Sequence, residues 1–457
     1  MTGKMTKIGL VWAVSLTLLV TSLAVGLSSA DQVTSGNTIT PTVAQGTTDR
    51  LGGGDWVVVH AGNTNFGVVY GTASNPNKIY IFADYKRYLA GVDFYDSQGN
   101  YLRTKGVSVE AVFAQSLDRL IEFRDVDGNH RFDLGMWDGL RNTSDIPVKG
   151  LNLTRAWTLS DFSNETQNGV LNVTFTLSVS DVPYTWVWRA LPRPGPIQAP
   201  PSTGSVSEIA FTFHISVGVE NATARVPWFK VTITGGNENR VTNRTFDGWR
   251  EFSGQRVNMS VKYDQEIDGW DFAHQNSELL LETRMMFGYI VPRELLDRYR
   301  LNQGERALNG DQRNGTLIGD DRNQMPTEPR PIQPSGDKGT ITFADDWDRV
   351  GRFTWVSDVN VDGGQEQMYF QVHGGGPLAF PFGRNAAVAG LGVLGAFVYP
   401  QGDSIVHDPA FDAASYEFGI PSVTNLSPVG VLFLQMILIV AAVVLVGALK
   451  LRRKGQQ

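Results

Sequence analysis

The stretch Asp358-Val-Asn360-Val-Asp362-Gly363-Gly364-Gln-Glu366 places side-chain oxygens at alternate positions around a glycine pair. Calcium takes six to eight oxygen ligands, and a tight loop with this spacing can turn several of them inward together. Asp358, Asn360 and Asp362 would be the first, third and fifth ligands, with Glu366 at the ninth. The twelfth position is Tyr369, where an EF-hand needs a bidentate glutamate, and the flanking runs read as strands. A calcium site here therefore requires a further carboxylate from elsewhere in the chain.

Two other segments carry related spacing. Asp264-Gln-Glu266-Ile-Asp268-Gly269 repeats the pattern with glutamate in third place. Asp125-Val-Asp127-Gly-Asn129-His-Arg-Phe-Asp133 offers oxygens at positions one, three, five and nine. Over nine to twelve residues each, these segments resemble the open EF-like loops of dockerins and other secreted β-proteins. That resemblance implies ion binding, with structural Ca2+ as the expected cofactor, and says nothing about family. The competing reading is backbone chemistry, because hairpin turns collect Asp, Asn and Gly for their tolerance of left-handed conformations.

Catalytic patterns are thin. The chain holds no Gly-x-Ser-x-Gly elbow, no His-Glu-x-x-His, no phosphate-cradling glycine loop and no dinucleotide fingerprint. Its six histidines are scattered, although His373 and His407 could meet in space. A carboxylate pair for glycoside hydrolysis cannot be read from sequence, since it is defined by a separation in space. Among the eleven tryptophans, most fit a β core, while turn-adjacent Trp249 and Trp270 are the candidates for exposed, sugar-stacking rings.

The elements that would position these residues are strands. Runs such as "VLNVTFTLSV", "SEIAFTFHISVGV", "WFKVTITG" and "GRFTWVSDV" are β-branched, aromatic and separated by turn residues. "DFYDSQGNYL" reads as a hairpin. Helical periodicity is confined to "PRELLDRYRLN", from Pro292. Residues 191–205, "LPRPGPIQAPPSTGS", hold five prolines and read as a linker. Residues 302–339 form a long polar loop without strand character. The expected fold is all-β, with two antiparallel β-sandwich-like domains at 55–190 and 206–420. The apolar, glycine-rich segment 386–399 is too short to span a bilayer and reads as a buried strand or a contact surface.

The ends set the location. Lys4 and Lys7 precede an apolar run at 8–26, and Ser28 and Ala30 suit cleavage before Asp31. Residues 1–30 therefore read as a signal peptide, with an uncleaved anchor as the alternative. Residues 31–54 read as a flexible leader. Residues 429–449 form an apolar run that spans roughly 30 Å as a helix, the thickness of a bilayer's hydrocarbon core. The cationic tail at 450–457 places that end in the cytoplasm and everything before it outside. The expected location is the plasma membrane, single-pass, with lipid contact through the C-terminal helix.

With both ends set aside, residues 31–428 carry a net charge of −13, against −7 for the whole chain. Such an acidic body repels nucleic acid, and no nucleic-acid partner is expected. The chain has no cysteine, which excludes thiol chemistry and points to a prokaryote. Nine N-glycosylation sequons begin at Asn142, Asn152, Asn164, Asn172, Asn221, Asn243, Asn258, Asn314 and Asn425. Composition alone would give about three, and the excess on an exported chain points to an archaeal surface glycoprotein. The functional expectation is a binding, adhesion or envelope-structural ectodomain, with envelope glycans or other surface proteins as partners. The alternative is an extracellular hydrolase acting on glycans or peptides.

Overall fold

Alternation of period two is clearest in Val170–Pro183, where Leu171, Val173, Phe175 and Leu177 are buried and the residues between them are half exposed. One face of such a strand must meet a second apolar layer. The computed structural model describes residues 39–48, 53–126, 128–132, 145–189, 195–234, 241–292, 340–344, 349–382 and 386–417. Strands take up 76% of it, and apart from a single 3-10 turn at Pro201–Thr203 it holds no helix, so the fold is nearly all β; two sheets form and no barrel closes.

In chain order, the first half contributes β1 (Thr42–Thr48), β2 (Gly54–Ala61), β3 (Thr64–Tyr70), β4 (Ile79–Tyr95), β5 (Tyr101–Arg124), β6 (Ile146–Asn152), β7 (Thr158–Gln167), β8 (Val170–Pro183), β9 (Trp186–Arg189) and β10 (Gly195–Gln198). The second half contributes β11 (Ser205–Ile233), β12 (Val241–Asp268), β13 (Ser277–Pro292), β14 (Thr340–Ala344), β15 (Arg349–Thr354) and β16 (Asp358–Val361). It ends with β17 (Gly364–Gln367), β18 (Tyr369–Phe382), β19 (Ala386–Tyr399), β20 (Ser404–His407) and β21 (Ala410–Glu417).

One sheet runs β1-β2-β3-β4-β5-β13-β19-β18, with β6, β9 and β10 taking the place of β4 beside the far end of β5. The other runs β7-β8-β11-β12-β21-β15-β14, with β20, β16 and β17 beside the end of β12. Their inner faces share one hydrophobic cluster that includes Val57, Phe113 and Leu281 from the first sheet and Phe175, Phe213 and Phe411 from the second.

Several segments differ from expectation. The leader at 31–54 contains β1, which pairs along β2 while Trp56 lies over Gly46 and donates to the Thr47 carbonyl. Within the proline-rich 191–205, Gly195–Gln198 still pairs with β9 at a sheet edge, where proline's missing N–H is tolerated. The two halves that this segment would separate pair with each other, β5 to β13 and β8 to β11, around a common core. The glycine-rich 386–399 is an interior strand between β13 and β18. Trp270 is 2% exposed, whereas Trp249 is 39% exposed.

Residues 1–30, the loop 302–339, the helical pattern after Pro292 and the apolar run 429–449 lie outside the described residues. Among those described, no helix is long and apolar enough to cross a membrane.

The long strands do more than fill the sandwich. Beyond the reach of β13 and β21, the β4–β5 and β11–β12 hairpins continue and join through a parallel ladder from Trp228↔Gly91 to Thr232↔Tyr95. This four-stranded extension has its own small core of Ala90, Val92, Phe94, Phe229, Val231 and Ile233. Gly91 is required there, since a Cβ would lie 2.0 Å from the buried Trp228 ring. The β4–β5 turn closes as "DFYDSQGNYL" predicts: Asp96 accepts from the Gln98 and Asn100 amides at 2.9 and 2.8 Å.

Candidate metal centre

β5 ends at Arg124, and the chain leaves the sheet through Asp125. Asp125 closes the turn by accepting the Gly128 amide on Oδ1 and the His130 amide on Oδ2, both at 2.9 Å. Gly128 and His130 both adopt positive φ, +71° and +56°. Histidine is among the few side chains that tolerate this region. Phe132 then docks the loop: its ring packs on Phe123, and its backbone exchanges two hydrogen bonds with the Gln371 amide on β18, both 2.7 Å.

Pairing of β5 with β13 brings Glu278 to this loop, 153 residues further along the chain. Its Oε1 lies 2.5 Å from His130 Nδ1, which is 3.9 Å from Asp125 Oδ2. One ligand atom from each of Asp125, His130 and Glu278 falls within 4.8 Å of the others, and this is the group of metal-ligating type found among the described residues. The His130 ring stacks on Tyr369 at 4.6 Å and 4°, which fixes its plane. A cavity of about 460 Å³ opens beside the three residues, bordered also by Ser277, Asn276 and Pro400. Burial pushes the Glu278 carboxyl above its ordinary range, and the charges of Asp125 and Asp145 push the same way. The hydrogen bond and charge of His130 oppose them.

Of the residues that the sequence places in this loop, Asp125 stands in the cluster and Asn129 is exposed beside it. Asp127 and Asp133 lie outside the described residues. The remote carboxylate is Glu278, at the polar start of the apolar run "SELLLETR". No local spacing identifies it, because only the β5–β13 register places it there.

The other two segments do not converge in this way. Asp358 and Asn360 lie on β16, Asp362 in the turn and Glu366 on β17. Asp362 and Gly363 have φ of +53° and +81°, the two left-handed positions of a tight hairpin. Asn360 accepts the Gly363 amide at 3.0 Å, and Asp362 accepts the amides of Asp403 and Ser404 at 2.9 and 2.8 Å. Glu366 stands opposite Val359, so the pleat directs it to the face away from Asp358 and Asn360. A turn role for Asp362 predicts that Asp362→Ala lowers stability by about 1 kcal/mol equally with and without calcium. A loss that grows in calcium, in paired denaturation curves, would instead reveal a bound ion.

Asp264, Glu266 and Asp268 sit within β12, not in a loop. Asp264 is held by His214 at 2.9 Å and by Lys262 at 3.0 Å. Glu266 is raised by partial desolvation and then by Asp268, Glu208 and Asp264 nearby, a row of like charges along the sheet face.

Of the sequon asparagines, Asn152, Asn164, Asn221 and Asn243 are exposed on strands. Asn172 and Asn258 are half buried, bonded to Ser216 and Glu220. Asn142, Asn314 and Asn425 lie outside the described residues. His407 is buried, and its ring nitrogens meet Tyr399 and the Val356 carbonyl. The side chain of His373 lies outside the described residues, so its pairing with His407 does too. No protein-family model and no curated protein matches this chain, so the reading of the site rests on its own geometry.

Proposed function

We propose that this chain is a single-pass cell-surface protein whose β-rich ectodomain binds envelope material. Its N-terminal 30 residues would direct export, its apolar segment 429–449 would anchor it, and the exposed sequon asparagines would carry glycans. The observation that supports a binding role is the exposed apolar side chains of the four-stranded extension. Tyr101 and Leu102 stand beside the β4–β5 turn, 56% and 43% exposed, and Phe246 and Trp249 stand on β12 nearer the base of the extension, 46% and 39% exposed. Phe246 and Trp249 meet edge to face at 6.2 Å, and Arg225 lies over the Trp249 ring at 5.6 Å.

Exposed aromatic rings on a rigid β scaffold stack on sugars and anchor protein partners at low entropic cost. The β4–β5 half of the extension, with Tyr101 and Leu102, carries no sequon, whereas a glycan on Asn243 would stand three residues from Phe246 on β12. The test is co-sedimentation of the full-length protein, in detergent micelles, with envelope fragments from its source organism. Wild type should sediment, and Phe246→Ala/Trp249→Ala should bind about tenfold or more weakly with an unchanged melting temperature. Release of new reducing ends or amino termini by the wild type would favour the hydrolase alternative. Absence of both binding and release would overturn the reading.

A further inference from the structure

Among the described residues lining the cleft beside β13, His130 is the one basic side chain set against the carboxylates of Asp125 and Glu278. Glu278 is 9% exposed, and its Oε2 is buried without a hydrogen-bond partner. Ser277 is 2% exposed, and its Oγ, at the same cavity wall, is also buried and without a partner. Asp145, 1% exposed, is close enough to act on Glu278 electrostatically. Among the described residues, no lysine or arginine borders the cavity. Buried carboxylate oxygens are costly unless paired with positive charge or coordinated to a metal.

We infer that Asp125, His130 and Glu278 form a binding site for a divalent transition-metal ion of the zinc type, facing the adjacent cavity. The inference does not depend on the envelope-binding role.

The donor set decides the class of ion. Calcium takes six to eight oxygens at 2.3–2.6 Å, whereas an imidazole nitrogen with carboxylates suits zinc and its neighbours. Ligands about 2.0–2.1 Å from a tetrahedral ion stand about 3.3 Å apart. His130 Nδ1 and Glu278 Oε1 would open from 2.5 Å, and His130 Nδ1 and Asp125 Oδ2 would close from 3.9 Å. Both changes are under 1 Å, and the ion takes the place of the hydrogen bond between His130 and Glu278. The backbone bonds to Asp125 and the stacking of His130 on Tyr369 hold two of the three ligands oriented in advance. Three protein ligands leave a coordination position toward the cavity for water or a bound group. The ion would also tie the loop after β5 to the start of β13.

The test is calorimetric titration of the full-length protein in micelles, stripped by chelator, with Zn2+ and separately with Ca2+. One equivalent of Zn2+ should bind and raise the melting temperature, more tightly than Ca2+. His130→Asn and Glu278→Gln should each weaken Zn2+ binding by more than about tenfold, a loss found even for groups one shell beyond the ligands. Affinity should also fall as pH drops, since the ion competes with protons for His130.

Unchanged affinity in folded variants, no stoichiometric Zn2+ binding, or tighter Ca2+ binding would each overturn the assignment. Should a variant fail to fold, Co2+ bound to the wild type answers the same question. Strong visible bands of a four- or five-coordinate ion support it, and the weak spectrum of an all-water, six-coordinate ion overturns it.

Discussion

Glu122→Ala should destabilise the folded chain by about 3–5 kcal/mol, the loss typical of removing one partner from a buried ion pair. Glu122 lies on β5 with no exposed surface. Its Oε2 accepts the Trp270 indole N–H at 3.2 Å, and its Oε1 accepts the Ala273 amide at 2.8 Å. Lys149 of β6, also buried, stands 3.7 Å from Oε2 and 4.2 Å above the Tyr184 ring. Its other carboxylate neighbour, Asp271 at 3.8 Å, is 80% exposed and screened by water.

The alanine variant thus leaves an ammonium in the interior and frees an indole N–H and an amide at once. Replacing both charges, as Glu122→Leu/Lys149→Met, should restore part of the loss, because an apolar pair of similar volume avoids the desolvation of two ions. Equilibrium denaturation of the two variants checks this. Equal loss in both would mean that hydrogen bonding, not the buried charge, dominates.

Acidification should weaken the fold before carboxylates titrate, and His407 is the reason. It sits 1% exposed between the sheets, and burial pushes its pKa down to about 4, against small opposing effects of the Val356 carbonyl and Asp408. The folded state therefore keeps His407 neutral where the unfolded chain, near 6.5, already binds a proton. Its contribution is fully present above pH 6.5 and is lost as pH falls through 4, amounting to about 3 kcal/mol across that window.

The ring belongs to a polar chain through the core. Tyr399 OH meets His407 Nδ1 at 3.2 Å and donates to Gln265, Tyr263 OH donates to Gln115 at 2.9 Å, and Gln115 donates to Thr283 at 2.9 Å. His407→Gln should flatten the stability profile between pH 6.5 and 5, measured by denaturation at stepped pH. A profile as steep as wild type in that range would assign the proton uptake to another group.

The strands were legible because burial on one face imposes a period of two. "VLNVTFTLSV" buries Leu171, Val173, Phe175 and Leu177, as its letters predict. What the letters could not give was reach. β11 and β12 run for 29 and 28 residues, and their outer thirds read no differently from the parts packed in the sandwich. The proline-rich segment suggested two domains because proline breaks ladders locally. Pairing between strands far apart in sequence then carried the core across it. Trp249 and Trp270 share the context Asp-Gly-Trp, yet one is exposed and the other is drawn inside by its bond to Glu122. The same limit governs the metal site. Asp125 could be singled out from its loop, but Glu278 becomes its neighbour only through the register of β5 with β13.

The unbroken β11–β12 hairpin also has a mechanical meaning. Its tip lies in the aromatic extension, while its other end is bonded to β8 on one side and to β20 and β21 on the other. Hydrogen bonds in such ladders lie across the strands. Tension applied at the tip along the strand axis would load these bonds together, in shear, instead of opening them one after another. A ligand held on the extension would therefore pull on the whole second sheet at once.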